Sequence, residues 1–260
     1  MKILAVSDIH GNVRAARQVR ARESNHFDVI VVAGDIGNDK TAEILAILAS
    51  FECPVLYVYG NWDHETAYDQ NFGPTCHHLH MAPYQIQGTT FIGYSGVEQN
   101  WGRNPIARKF ARKGRQFADI GAANRSEMVK DIRKGGYDPR STIVVTHDRL
   151  YRTNEDMPDV PLFLFGHRHG FYDREFKGSR FVNVSVLDDP VSVAHPDELD
   201  KNGWDAVFNI NDGNYTILEW SKSAGTVARK MPFKPSFAGW EFMDGIFMGA
   251  PWIGDELVDQ

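Results

Sequence analysis

Cysteine is nearly missing from this 260-residue chain. Cys53 and Cys76 are the only two, and they lack the CxxC spacing, which excludes a zinc ribbon and a dense disulfide framework. Both are expected to be ordinary thiols. No run approaches the ~20 apolar residues of a membrane-spanning helix. The apolar start of "MKILAVSDIHGN" is broken by Ser7 and Asp8 too early for a signal peptide. A cytoplasmic protein without a membrane partner is the expectation. Positive charge is not in excess: a net charge of -6 argues against a protein that coats nucleic acid through overall basicity, so an anionic ligand must be held locally. Repeats, low-complexity tracts and an interdomain linker are also lacking.

What the chain does have is apolar material for a core, 42% of its residues, which suffices for one domain over 1–260. The runs "KILAVSD", "DVIVVAGD", "PVLYVYGN", "STIVVTH" and "PLFLFGH" are apolar on consecutive positions, as strands covered on both faces should be. Each hands over to Asp, Asn or His at its C-terminal end. Helices are predicted between the early runs, at about Val13 to Ser24 and Lys40 to Ser50, where Ile44, Leu45, Ile47 and Leu48 supply an apolar face. This β-α-β-α-β order predicts a largely parallel sheet, with ligands gathered outside the carboxyl ends of its strands. After Gly166, "REFKGSRFVNVSV", "AVFNIN" and "YTILEW" read as strands joined by Gly-containing turns, so the second half should be more antiparallel. The expected fold class is α/β: a four-layer sandwich of two packed mixed β-sheets flanked by helices.

Two regions fit this frame less well. About 98–135 is read as a basic helical insertion, with Arg103, Arg108, Lys109, Arg112, Lys113 and Arg115 among Trp101, Phe110 and Phe117. It is either a solvated helix face or a lid over an anionic substrate. About 221–260 is read as an aromatic-rich extension that packs back on the domain or forms a homo-oligomer, because Phe233, Phe237, Trp240, Phe242, Phe247 and Trp252 are costly to leave in water.

Taken singly, the polar strand ends have structural explanations. Asp8 and Asp35 could cap helices, Asn61 suits a turn, and a lone histidine is more often structural than a ligand. Together, Asp8, His10, Asp35, Asn61, His147, His167 and His169 supply oxygen and imidazole donors without a thiolate. Such a set suits Mn²⁺, Fe or Zn²⁺ and not the all-oxygen preference of Ca²⁺. Seven donors are too many for one tetrahedral ion and about right for two ions sharing a carboxylate.

These residues fall in the motifs Asp8-Ile9-His10, Gly34-Asp35, Gly60-Asn61, His147 and Gly166-His167-Arg168-His169. In that order the sequence closely resembles the calcineurin-like metallophosphoesterase superfamily, whose pattern runs D-x-H, G-D, G-N-H-[DE], H, G-H-x-H. The resemblance implies that Asp8, His10, Asp35 and His169 hold a first divalent ion and Asp35, Asn61, His147 and His167 a second, with Asp35 bridging. Mn²⁺ is the leading candidate, with Fe, Zn²⁺ or Ni²⁺ as alternatives. It also implies hydrolysis of a phosphate ester, by in-line attack of a hydroxide shared between ions ~3.5–4 Å apart. Asp35 and Asn61 are then catalytic as well as ligating.

The sequence departs from the pattern where the family has His after Asn. Trp62 stands there, and an indole donates a hydrogen bond but cannot act as an acid. Three readings of Trp62 compete: a platform on which a base or aryl group of the substrate stacks, a packing residue with His64 as the stand-in acid, or the mark of a weak hydrolase. Losing an acid hurts alkyl esters most, which favours a phosphodiesterase over a phosphomonoesterase. Asp63 is read as orienting a neighbour. "GDIGNDK" lacks the arginine of the Ser/Thr protein phosphatases, which demotes that activity. A binding scaffold that kept the fold and lost the reaction is the alternative outside enzymology, opposed by the complete ligand set. Nucleotide and nucleic acid stay open as substrates.

Overall fold

The computed structural model describes residues 1–95 except 25 and 68, together with 133–149, 157–184, 186–188, 213–222, 225–232 and a few single residues between them. Most of the basic insertion, the strand expected at "AVFNIN" and the aromatic residues from Phe233 onward lie outside the described residues.

In chain order the strands are β1 (Lys2–Val6), β2 (Val29–Ala33), β3 (Val55–Val58), β4 (Cys76–His78), β5 (Tyr84–Ile86), β6 (Thr89–Tyr94), β7 (Thr142–Thr146), β8 (Leu162–Phe165), β9 (Tyr172–Phe176), β10 (Ser179–Asn183), β11 (Asn214–Ser221) and β12 (Gly225–Pro232). The helices α1 (Val13–Arg22) and α2 (Thr41–Ala49) lie where the apolar periodicity predicts them. The strands form two mixed six-stranded sheets, ordered β12-β11-β1-β2-β3-β4 and β5-β6-β7-β8-β10-β9. The early half is parallel, as the β-α-β-α-β order requires: β1 with β2, β2 with β3, and β3 with β4. The later half is more antiparallel, with β9 against β10 and β11 between β1 and β12.

The strands alternate their side chains between the space shared by the two sheets and an outer cluster on each sheet, which is why their runs are apolar without interruption. One set, with Ile3, Ala5, Val31, Leu56, Ile143, Val145, Leu164 and Val182, fills the space between the sheets. The opposite set, with Leu4, Val6, Ile30, Val32 and Tyr57, packs against Ala15, Ala16 and Val19 of α1 and Ile44, Leu45 and Leu48 of α2. Full burial of each large aliphatic is worth about 1.5–3 kcal/mol. Substitution of a polar residue on either face would therefore be costly. Asn12, not Asp8, caps α1, its Oδ1 accepting from Ala15 N at 3.0 Å, and α2 has no side-chain cap. Both aspartates are thus free for another task.

The turns place the strand ends. Asp8 N donates to Gly34 O at 3.0 Å, and the N–H groups of Ile9 and His10 share Asp35 O at 2.8 and 3.0 Å, which stitches the loop after β1 to the loop after β2. Beyond β10, Val184 N donates to Phe165 O at 2.8 Å, after which Val186 pairs with Ser7. The chain thereby crosses from the second sheet to the first, beside the loops that carry the polar residues.

Candidate metal centre

The loop after β1 carries Asp8 and His10, that after β2 carries Asp35, and that after β3 carries Asn61; His147 follows β7, while His167 and His169 follow β8. Five of these residues hold left-handed backbone: Asp8 at φ 52°, His10 at 48°, Asp35 at 52°, His167 at 68° and His169 at 48°. Non-glycine residues enter this region at a cost of about 1–3 kcal/mol each, and such conformations cluster at functional sites. Here the strained turns aim the side chains into the space between the sheet ends.

Two donor groups result: Asp8 with His10 and His169, and Asp35 with His147 and His167. In the first, His169 Nε2 lies 3.5 Å from Asp8 Oδ1. In the second, His147 Nε2 lies 3.3 Å from Asp35 Oδ2 and 3.1 Å from Asn61 Oδ1. Asp35 Oδ2 is also 3.5 Å from His10 Nε2, so one oxygen faces both groups. An ion with ligand bonds near 2.1 Å holds adjacent donors about 3.0–3.4 Å apart. The spacing, the donor types and the burial of Asp8, Asp35 and His147 therefore fit divalent metal.

The ring tautomers agree with that use. His147 Nδ1 is 2.8 Å from the carbonyl of Ala33, which can only accept, so Nδ1 carries a proton, and in the neutral ring that metal binding requires the lone pair falls on Nε2, the nitrogen beside Asp35 and Asn61. His10 Nδ1 is 3.1 Å from Asp188 Oδ2, with the same consequence. His10 Nε2 and His169 Nδ1 are buried without a hydrogen-bond partner among the described residues, and His10 Nε2 is turned toward the shared carboxylate. A buried orphan nitrogen costs free energy unless something binds it. In the protein without ions, burial opposes charge on His147, but Asp35 and Asp8 push it up to about 10. His10 is pushed up to about 9, its burial outweighed by Asp188, Asp35 and Asp8. Burial and the charge of His147 lower His167. Asp8 and Asp35, although buried, stay below the ordinary carboxylate range beside these imidazoles.

The loop after Asn61 is held by Asp63. Its Oδ1 accepts from Ile36 N at 2.8 Å and Gly37 N at 2.9 Å, and its Oδ2 from Gly60 N at 2.8 Å. Asp63 thus locks the loops after β2 and β3 together, in keeping with an orienting role. Trp62 N donates to Asp35 Oδ1 at 2.8 Å, while its indole is 53% exposed with its ring 4.9 Å from that of His10. His64 lies outside both donor groups: its side chain is exposed, Nδ1 donates to Trp62 O at 3.0 Å, and Nε2 is 4.0 Å from Glu65.

The family model of the calcineurin-like phosphoesterase superfamily domain matches residues 1–190, a span that includes every one of these donors. The chain belongs to that superfamily. It is a metal-dependent phosphoesterase, and phosphate esters are its substrates. Similar solved structures include the phosphopantetheinyl hydrolase of Mycobacterium tuberculosis, 18% identical over 92% of this chain and 98% of that one, TM-score 0.43. An archaeal phosphodiesterase is 13% identical over 89% and 100% of the two chains, TM-score 0.42. Vps29 of Entamoeba histolytica complexed with zinc is 11% identical over 90% and 100%, TM-score 0.37. No curated protein matches the sequence.

Three residues of this phosphoesterase site escape a reading of its motifs. Ser7 Oγ lies 2.6 Å from Asp8 Oδ2, and His167 N donates to the same carboxylate, steadying it from two sides. Asp188 and Asn12 flank His10, with Asn12 Nδ2 donating to Asp188 Oδ1 at 3.0 Å. A signal for Asp188 was present: "FVNVSVLDD" is one more apolar run that hands over to an acid.

Proposed function

We propose that this phosphoesterase hydrolyses a phosphodiester at a dinuclear centre, with Asp8, His10, Asp35 and His169 holding one ion and Asp35, Asn61, His147 and His167 the other. The observation that carries this reading is the position of Asp35 Oδ2, 3.5 Å from His10 Nε2 and 3.3 Å from His147 Nε2. A pair of divalent ions, Mn²⁺ foremost, would supply a nucleophile at neutral pH and neutralise charge on the phosphoryl oxygens.

The protein's own groups account for orientation. Ala33 O and Asp188 direct the two imidazoles, and Trp62 N–H holds the other oxygen of Asp35, which keeps Oδ2 between the donor groups. The exposed indole of Trp62 offers a flat apolar face at the rim and no dissociable proton. A leaving group must then depart without an acid from position 62, which suits aryl and phosphoryl leaving groups and disfavours basic alkoxides. An ester substituent with a ring can stack on Trp62, so a nucleotide or aryl diester is the favoured substrate class.

With added Mn²⁺, the protein is expected to hydrolyse bis(p-nitrophenyl) phosphate faster than p-nitrophenyl phosphate. Asp35→Ala and His167→Ala should each abolish turnover, and undiminished activity in either variant would refute the assignment. A preference for the monoester would move the reading to a phosphomonoesterase, in which case His64→Ala tests whether His64 is its acid.

A further inference from the structure

We propose that Asp188 is the positioning residue for the first ion, acting through His10; this rests on the two-ion reading above. Leu187 N donates to Ser7 O at 2.9 Å, next to the pairing of Val186 with Ser7, and this short parallel contact delivers Asp188 to the loop after β1. Its Oδ2 lies 3.1 Å from His10 Nδ1. A carboxylate can only accept there, so Nδ1 keeps its proton and the neutral, metal-binding form of the ring has its lone pair on Nε2. Nε2 is the buried nitrogen without a hydrogen-bond partner among the described residues, 3.5 Å from Asp35 Oδ2.

The other oxygen of Asp188 accepts from Asn12 Nδ2 at 3.0 Å, and Asn12 Oδ1 in turn caps α1 through Ala15 N. One carboxylate therefore braces the imidazole against a helix terminus, at a residue whose own backbone is strained at φ 48°. The second ion's His147 has a different brace, the main-chain carbonyl of Ala33. That difference makes the proposal testable, because loss of the Asp188 carboxylate should act on one ion and spare the other. A charged acceptor also makes the imidazole a stronger donor to metal than a neutral carbonyl does.

The experiment titrates the ion-free full chain with Mn²⁺ by calorimetry and follows the coupled ion pair by electron paramagnetic resonance, for wild type, Asp188→Asn and Asp188→Glu. Asp188→Asn is expected to weaken one ion by about 10–100-fold, leave the other within about threefold, and lose the coupled-pair signal at limiting Mn²⁺. Asp188→Glu should recover part of the affinity. Unchanged affinities for both ions would overturn the proposal. So would parallel weakening of both ions with a lowered melting temperature of the ion-free protein, which marks a purely structural role. If Asp188→Asn does not fold, Asp188→Glu decides alone: selective weakening of one ion supports the proposal and unaltered binding refutes it. Wild type that binds a single ion refutes the dinuclear reading only, and the variants are then judged by whether they weaken that ion.

Discussion

Asp63 and Trp62 are neighbours with opposite environments, and each makes a residue-scale prediction. Asp63 is buried and accepts three main-chain N–H bonds, two from the loop after β2 and one from Gly60. Asp63→Asn keeps its shape but sets an amide N–H₂ against a backbone donor. A loss of about 2–3 kcal/mol is expected, measurable as a lower urea midpoint of the ion-free protein. Trp62, by contrast, is 53% exposed, with its ring tilted against that of His10 at 4.9 Å. Trp62→Ala should leave stability nearly unchanged. It should reduce kcat/KM for aryl or nucleotide diesters by roughly 10-fold relative to a methyl ester, as loss of one stacking contact would. Equal losses for both substrate types would remove the platform role.

At the scale of elements, a recurring unit is a buried strand followed by a glycine and then a candidate ligand: Gly34-Asp35 after β2, Gly60-Asn61 after β3 and Gly166-His167 after β8. Gly60 illustrates why. A Cβ there would overlap Asp35 Oδ1 and stand 2.6 Å from Asp35 N, so only glycine lets the ends of β2 and β3 approach closely enough to bring Asn61 beside the shared carboxylate. Gly60→Ala is expected to cost roughly 1–3 kcal/mol through overpacking and to lower Mn²⁺ affinity. Thermal unfolding and metal content report the two effects separately. A variant with wild-type values for both would mean that the loops can part without consequence.

For the whole molecule, the donors divide between the sheets: Asp8, His10, Asp35 and Asn61 follow strands of the first, and His147, His167 and His169 follow strands of the second. Ions held by both sets would staple the sheets at one end. Ligand present at a hundredfold excess over its Kd stabilises the native state by about 2.7 kcal/mol, which for a chain of this size is roughly 5–10 °C in Tm. Chelation should remove that increment and Mn²⁺ should restore it. Proton linkage follows from the imidazoles. His10 at about 9 and His147 at about 10 stand above their ordinary value, so in the ion-free protein their charged forms stabilise the fold fully below pH ~6.5 and cease to do so as pH rises through 9 to 10. Both must be neutral to bind metal. Uptake near pH 7.5 should therefore release about two protons per chain, and apparent affinity should climb with pH toward 9. Calorimetry in buffers of different ionisation enthalpy checks the proton count. Strands β1, β2, β3, β7, β8, β9, β10 and β11, helices α1 and α2, and the placing of seven polar residues after strand ends were legible in the sequence, because apolar runs and the polar residues ending them are local patterns that survive without knowledge of partners; β4, β5, β6 and β12, whose runs are short or mix polar with apolar residues, were not. The pairing of His10 with Asp188, separated by 178 positions, depends on the register between Val186 and Ser7 across two sheets, and no local pattern carries that register. The same holds for His64, whose outward direction follows from the turn that Asp63 ties to Ile36, Gly37 and Gly60. Composition and periodicity determined which groups reach the sheet ends; hydrogen bonds between distant segments decided how each one is aimed.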